Sequence, residues 1–339
     1  MKRRLRLRIN KITLATFILD ICVIVGLIVI NTSSFKVFWI PTAMTTMSHK
    51  YLAYTLYSED TVNKVMKENY IDQVNEEMNL DDIVIDGGKK KHYTNKYEKE
   101  LFNKDPNNDV YKIIRIEENN YKGYLVGIYD PADVDLAVTN KLGKMGQSVN
   151  TLCKQHGGLV GINGGGFEDL DGWGNGSIPY GAIIKDGKKI WEHSGGSGQL
   201  IGFTEDHKMY LTSKKPQDAI KKGMRDAVEF GPNLIVNGKI SKIHGDGGWG
   251  TAPRSVIAQR KDGVVLFLII EGRLPGYSIG ATMNDVIDVL LRYKAYNAAN
   301  LDGGHSSSLS VNGKLYNNPP SVAKKQGGRY VVTGFGLIP

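Results

Sequence analysis

Four segments of this chain carry the residue types that chemistry needs, and each adjoins an apolar run. They are Ile162-Asn163-Gly164, Ala252-Pro253-Arg254-Ser255 ahead of Val256, Ile270-Glu271-Gly272-Arg273, and Asn300-Leu301-Asp302-Gly303-Gly304 leading into His305-Ser306-Ser307-Ser308. The apolar runs read as strands, so if they are neighbours their polar ends converge. One amide, two guanidiniums, two carboxylates, an imidazole and several hydroxyls then share one site. Arg254 and Arg273 suit a bidentate grip on a phosphate. Glu271 and Asp302 suit acid–base work on a single substrate. Gly303 and Gly304 let the backbone turn sharply and come close to a ligand.

Each of these residues also has a plainer reading. Arg254 can make a surface salt bridge, Glu271 can be a solvated strand-end carboxylate, and Asp302 can close an Asx-turn. Glu168 and Asp169, beside Gly164-Gly165-Gly166, either line the rim of a site or are loop charge. His244, Asp246 and His305 match no metal-ligand spacing, so neither a metal nor a cofactor is expected. Gly304-His305-Ser306 lacks the closing glycine of a nucleophile elbow. The serines therefore read as hydrogen-bonding support, and no P-loop or dinucleotide fingerprint is present.

The elements that position these residues are mostly hairpins. Asp186-Gly187, Asn237-Gly238, Asp262-Gly263 and Asn312-Gly313 each adjoin apolar runs, and such pairs supply the positive φ angles of tight turns. Tyr111–Ile116, Tyr121–Tyr129 and Leu136–Val138 have strand character, and Met145–His156 reads as a helix ended by Gly157-Gly158. One strong helix starts at Thr282, with Asp285 in a capping-box position and Val286, Ile287, Leu290 and Leu291 on its buried face. It delivers the chain to Ala298 and the Asp302 segment. The fold class expected is α+β, with mixed, mainly antiparallel sheets and few helices, preceded by one transmembrane helix.

The 339 residues carry a net charge of +8, and residues 1–34 hold six basic groups against Asp20 alone. The basic balance is therefore chiefly a tail and not a nucleic-acid surface. Ile12–Ile30 is long enough to span roughly 28 Å as a helix, close to the ~30 Å hydrocarbon core. The basic flank predicts a cytoplasmic N-terminus with all that follows outside the cell, and Phe35, Phe38 and Trp39 suit an interfacial belt. A cleaved signal peptide is the rival reading. Pro41 is expected to block continuation of the span, with Met47, Tyr51 and Tyr54 at helical spacing beyond it. The division expected is a tail and anchor over 1–34, juxtamembrane helices and linker over 35–108, and a globular domain over 109–339. Asp81–Asn108, including Lys89-Lys90-Lys91, reads as solvated linker. The two cysteines, Cys22 and Cys153, are not expected to pair.

From about Val110 to Pro339 the chain resembles the phosphodiester glycosidase domain. The likeness is carried by Ile162-Asn163-Gly164-Gly165-Gly166-Phe167, Pro253-Arg254-Ser255, Glu271-Gly272-Arg273 and, above all, Asn300-Leu301-Asp302-Gly303-Gly304-His305-Ser306-Ser307. His305 stands where the family often has a third glycine, and Gly166 where an aromatic residue is common. The resemblance implies hydrolysis of a sugar-1-phosphodiester in an exopolysaccharide or cell-wall glycopolymer. It implies Asp302 and Glu271 as catalytic residues. Asn163, Gly164, Arg254, Arg273, Gly303, Gly304, His305, Ser306 and Ser307 would bind the substrate. The partners expected are a sugar-phosphate glycan or glycoconjugate and, through the N-terminal helix, a membrane. A non-catalytic carbohydrate-binding protein and a metal-dependent phosphodiesterase are the alternatives.

Overall fold

The computed structural model describes residues 11–46, 49–86, 93–106, 108–169, 174–320 and 327–339, with the backbone alone at 12 and 13. Its centre is a seven-stranded antiparallel sheet. The strands lie in the order Lys239–Ile240, Asn233–Val236, Ala295–Leu301, Arg254–Arg260, Val265–Ile270, Lys122–Ile128, Tyr111–Glu117. Strands Arg254–Arg260 and Val265–Ile270 are buried at every position, which follows from cover on both faces. On one face Val256, Leu268 and Ile270 pack against Val286, Ile287 and Leu290 of the helix Met283–Arg292. On the other, Ile257, Phe267, Ile269 and Leu301 share a core with two five-stranded sheets. One of these contains Val160–Asn163 flanked by Leu309–Val311 and Thr333–Leu337, and the other contains Gly181–Lys185 and Met224–Glu229. The expected α+β class, with antiparallel sheets and few helices, is what the chain forms.

The turn chemistry acts as expected. Asp186, Asn237 and Asn312 have φ of 51°, 52° and 50°, each followed by a positive-φ glycine. At the fourth turn only Gly263 is positive, at 86°. Asp262 there points inward to a buried cluster, where Arg260 donates to Asp262 Oδ2 at 2.7 Å and to Glu98 Oε1 at 2.8 Å. Thr282 and Asp285 form the reciprocal capping box.

The chain departs from expectation in three places. The apolar helix α1 (Lys11–Asn31) ends at Thr32, whose hydroxyl caps α2 (Ser33–Met44), and Pro41 lies inside α2. Proline removes one helical hydrogen bond; here Ile40, Pro41 and Ala43 are buried, and that packing holds the helix together. With α3 (Tyr51–Leu56) and α4 (Glu59–Glu68), α2 closes a small core of Ile40, Ala53, Val62 and Val65. The stretch 81–108 is not simply linker, because helix α5 (Lys96–Phe102) buries Glu98, Leu101 and Phe102 against the main sheet. In the segment Met145–His156 the helix is confined to Val149–Gln155, since Gln147 and Ser148 pair with Val331 and Tyr330. Met47 and Lys89-Lys90-Lys91 lie outside the described residues.

Burial pushes the Glu98 carboxyl up, but hydrogen bonds from Thr94 and Arg260 outweigh it and hold the group at about 2. Its stabilising contribution is therefore present above the ordinary glutamate value and lost as pH falls toward 2. Arg260→Met leaves Glu98 and Asp262 without their cation and should destabilise the fold by about 3–5 kcal/mol, read as a fall in the urea midpoint at pH 7.

Candidate active site

The site forms where two sheets meet end to end. Strand Val160–Asn163 finishes opposite the finish of Ala295–Leu301, and three hydrogen bonds clamp them. Asn163 Nδ2 donates to the Asp302 carbonyl at 2.6 Å, and the Asp302 N–H donates to the Gly164 carbonyl at 3.1 Å. Asn163 Oδ1 accepts from the Ser308 N–H at 3.2 Å. Asn163 is fully buried. Gly164 has no room for a side chain, because a Cβ would lie 2.5 Å from Thr333 Oγ1. These two residues fix Asp302 and do not themselves line the cavity beside it.

That cavity has a volume of about 270 Å³, and Asn300, Asp302, Gly303, Gly304, His305 and Ser306 form one wall. Gly304 holds φ at +61°, and a Cβ there would sit 3.3 Å from Arg273 Nη1. Arg254 and Arg273 line the cavity too. Arg254 is 3% exposed and donates to the carbonyls of Ala281, Trp249 and Gly250 at 3.0, 2.8 and 2.5 Å. Burial, with Arg273 nearby, pushes it down to about 10. Arg273 has a left-handed backbone, φ +58°, and burial lowers its pKa too, although Asp302 opposes the shift. Among the described residues neither guanidinium has a carboxylate within ion-pair distance. A buried and a half-buried guanidinium lining one cavity, neither with a carboxylate at ion-pair distance, make a candidate anion site.

Desolvation pushes Asp302 up to about 6, against the pull of the Ser306 hydroxyl, Arg329 and the Gly303 N–H. His305 is pushed down to about 4 by burial and by Arg273 and Arg329, so it is neutral at pH 7. Its Nδ1 faces Arg273 Nη1 at 3.4 Å. A guanidinium can only donate, which places the imidazole proton on Nε2.

The structure brings Asp302, Arg254, Arg273, Gly303, Gly304, His305 and Ser306 together as the sequence suggested. Ser307 lies behind them, its carbonyl accepting from Asn317 Nδ2 at 3.0 Å. Glu271 is not in the cavity. It is 1% exposed, its carboxylate accepts the Asn318 N–H, and the Tyr277 phenol beside it is pushed up to about 12 by burial and by Glu271. The second carboxylate lining the cavity is Asp169, ion-paired to Arg329, which stacks over the Phe167 ring at 5.1 Å. Thr45, Thr46 and His49 complete the wall. Sequence patterns gave no signal for Arg329 or for those three; the triple glycine before Asp169 was a weak one. His244 stacks on Tyr70 at 4.3 Å, and Asp246 accepts the Gly248 N–H at 2.9 Å, both away from His305. A second cavity of about 510 Å³ continues the first, sharing Tyr180, Phe230 and Trp249.

The sequence model of the phosphodiester glycosidase family matches residues 156–338, more than half of the chain. The chain belongs to the phosphodiester glycosidase family. It is 31% identical over 199 residues to the uncharacterised SPbeta prophage-derived protein YomE of Bacillus subtilis strain 168, a region covering 56% of this chain and 29% of that protein. The fold is also that of the zebrafish N-acetylglucosamine-1-phosphodiester α-N-acetylglucosaminidase catalytic domain, solved as a form auto-inhibited by its pro-peptide. That likeness has a TM-score of 0.54 at 20% identity and covers 68% of this chain and 84% of that one. The family is one of hydrolases, and the clamp and cavity lie within or beside its matched region.

The folded form of Asp302 binds its proton more tightly than the unfolded chain does. Stability therefore falls as pH rises from the ordinary aspartate value through about 6, and the cost persists at neutral pH. Asp302→Asn should raise the melting temperature at pH 7.5, by about 2–4 °C for each kcal/mol recovered. The gap from wild type should close toward pH 4 in a thermal-denaturation series.

Proposed function

We propose that this chain is a membrane-anchored, extracytoplasmic glycosidase that hydrolyses sugar-1-phosphodiesters of an envelope glycoconjugate, such as an exopolysaccharide or cell-wall glycopolymer. One observation carries the reading: two guanidiniums, Arg254 buried and Arg273 half-buried, line the same cavity as Asp302 with no carboxylate at ion-pair distance among the described residues. Arg254 and Arg273 hold the phosphodiester and stabilise the charge that gathers on the departing phosphate. Asp302 takes a proton from water as the water oxygen bonds to the anomeric carbon. The bond from that carbon to the phosphate oxygen breaks, and a phosphate monoester leaves with the bonding electrons. A phosphate monoester is a good leaving group, so no strong general acid is required. The neutral His305 offers its Nε2–H to a phosphate or sugar oxygen. Glu271 supports the turn at Asn318 instead of sharing the chemistry, and Asn163 and Gly164 hold Asp302 in place.

The test is sugar release by the purified full chain from a set of defined sugar-1-phosphodiesters, beginning with the methyl diester of N-acetylglucosamine-1-phosphate. Asp302→Asn should lower kcat/KM by about 10²–10⁴, and Arg273→Met by about 10²–10³. Wild-type kcat/KM should fall tenfold per unit below pH 6, where Asp302 is protonated. Full activity in both variants, or no release from any diester, would remove the assignment.

A further inference from the structure

We infer that the substrate is a sugar-1-phosphodiester of a membrane-embedded lipid alcohol, cleaved in the enzyme's own bilayer; this rests on the reading above. The first observation is how the apolar helix meets the site. α1 is 21 residues long and its apolar side chains are exposed, among them Phe17, Leu19 and Ile28 at 62%, 62% and 61%. Such a surface needs a hydrocarbon solvent. No linker separates α1 from α2, because Thr32 both ends the one and caps the other. Tyr57 Oη donates to the Ile30 carbonyl at 2.6 Å, and Trp39 Nε1 donates to the Leu52 carbonyl at 3.0 Å, so the helical bundle grips the exit of the span.

The bundle is in turn docked on the catalytic cavity. Thr42 Oγ1 accepts the Thr251 N–H at 3.1 Å, and Gly250, at φ +60°, packs so closely that a Cβ would lie 2.5 Å from Thr42 Cα. The Gly250 carbonyl is one of the three that hold Arg254. Thr45, Thr46 and His49, just past α2, form part of the cavity wall. The 12 residues of α2 extend at most about 18 Å, so the near wall of the cavity, which begins at Thr45, stands at about that distance from the span's end. A freely diffusing or distant polymeric substrate gains nothing from such a mount. A substrate whose own phosphate sits at the bilayer surface does.

The second observation is the groove that leaves the cavity. Met66 and Ile71, from the end of α4 and just beyond, line it with Tyr70, Phe230, Pro232 and Trp249, beside the polar Gln73, Gln199 and Glu229. The apolar part of this groove adjoins the phosphate cavity at Phe230 and Trp249 and suits the first carbons of a lipid alcohol. Phe38, Tyr51 and Tyr54, exposed by 43%, 60% and 46%, place aromatic rings on the bundle where headgroups would meet it.

The experiment uses the full chain in phosphatidylglycerol–phosphatidylethanolamine vesicles and two diesters of the same sugar-1-phosphate, methyl and hexadecyl. The methyl diester, in solution, reports the chemistry alone. The hexadecyl diester is placed either in the enzyme's vesicles or in a separate population. Expected are a kcat/KM at least 10²-fold higher for the hexadecyl diester in the shared bilayer than for the methyl diester, and a rate at least tenfold lower when it lies in separate vesicles. Methyl cleavage at an equal or higher kcat/KM, or equal rates in shared and separate vesicles, overturns the inference while leaving the glycosidase reading intact. Cleavage of neither diester overturns both.

Discussion

The arrangement depends on one joint, the hydrogen bonds between Asn163 and the backbone of Asp302. Two sheets with separate hydrogen-bond ladders end at this point, and nothing in either ladder fixes their relative position. A fully buried amide does so, by donating to the Asp302 carbonyl and accepting from the Ser308 N–H. The reciprocal bond from the Asp302 N–H to Gly164 closes the joint. Because both partners lie one or two residues from strand ends held by sheet registers, the Asp302 carboxylate inherits the rigidity of two cores. The same joint sets where the Gly303–Ser306 turn points, and so where the cavity opens.

Around that joint the chain accepts electrostatic cost. A buried carboxylate, a buried arginine satisfied only by carbonyls, and a second arginine with a left-handed backbone would each be replaced if stability alone mattered. At the far end of the strand from Arg254 stands Arg260, an equally buried arginine that is ion-paired with Glu98 and Asp262. The contrast is informative: the buried guanidinium away from the cavity is paired with carboxylates, whereas the one that lines the cavity is satisfied by carbonyls alone.

Much of this was legible in the residues themselves. Hairpin turns, the Thr282 helix and the convergence of three strand ends followed from turn chemistry and apolar runs, and Asp302, Arg254 and Arg273 from residue type at those ends. Glu271 shows where such reasoning stops. Arg254 is paired with Ile270, so Glu271, one residue further, leaves the sheet by the opposite face. Counting strand ends cannot show that without the register. Arg329, Asp169, Thr45, Thr46 and His49 lie outside the periodic segments, and only tertiary packing brings them to the cavity. Pro41 misled because propensity was outweighed by burial of its own helix.

The central claim is that the two arginines hold a phosphate as leaving group while water attacks the sugar at a carbon set by Asp302. Hydrolysis of a sugar-1-phosphodiester in oxygen-18 water, with both products analysed by mass spectrometry, tests it directly. The account predicts the heavy oxygen on the anomeric position of the released sugar and none in the phosphate monoester. Label in the phosphate monoester would mean that water attacks phosphorus, and would contradict the account.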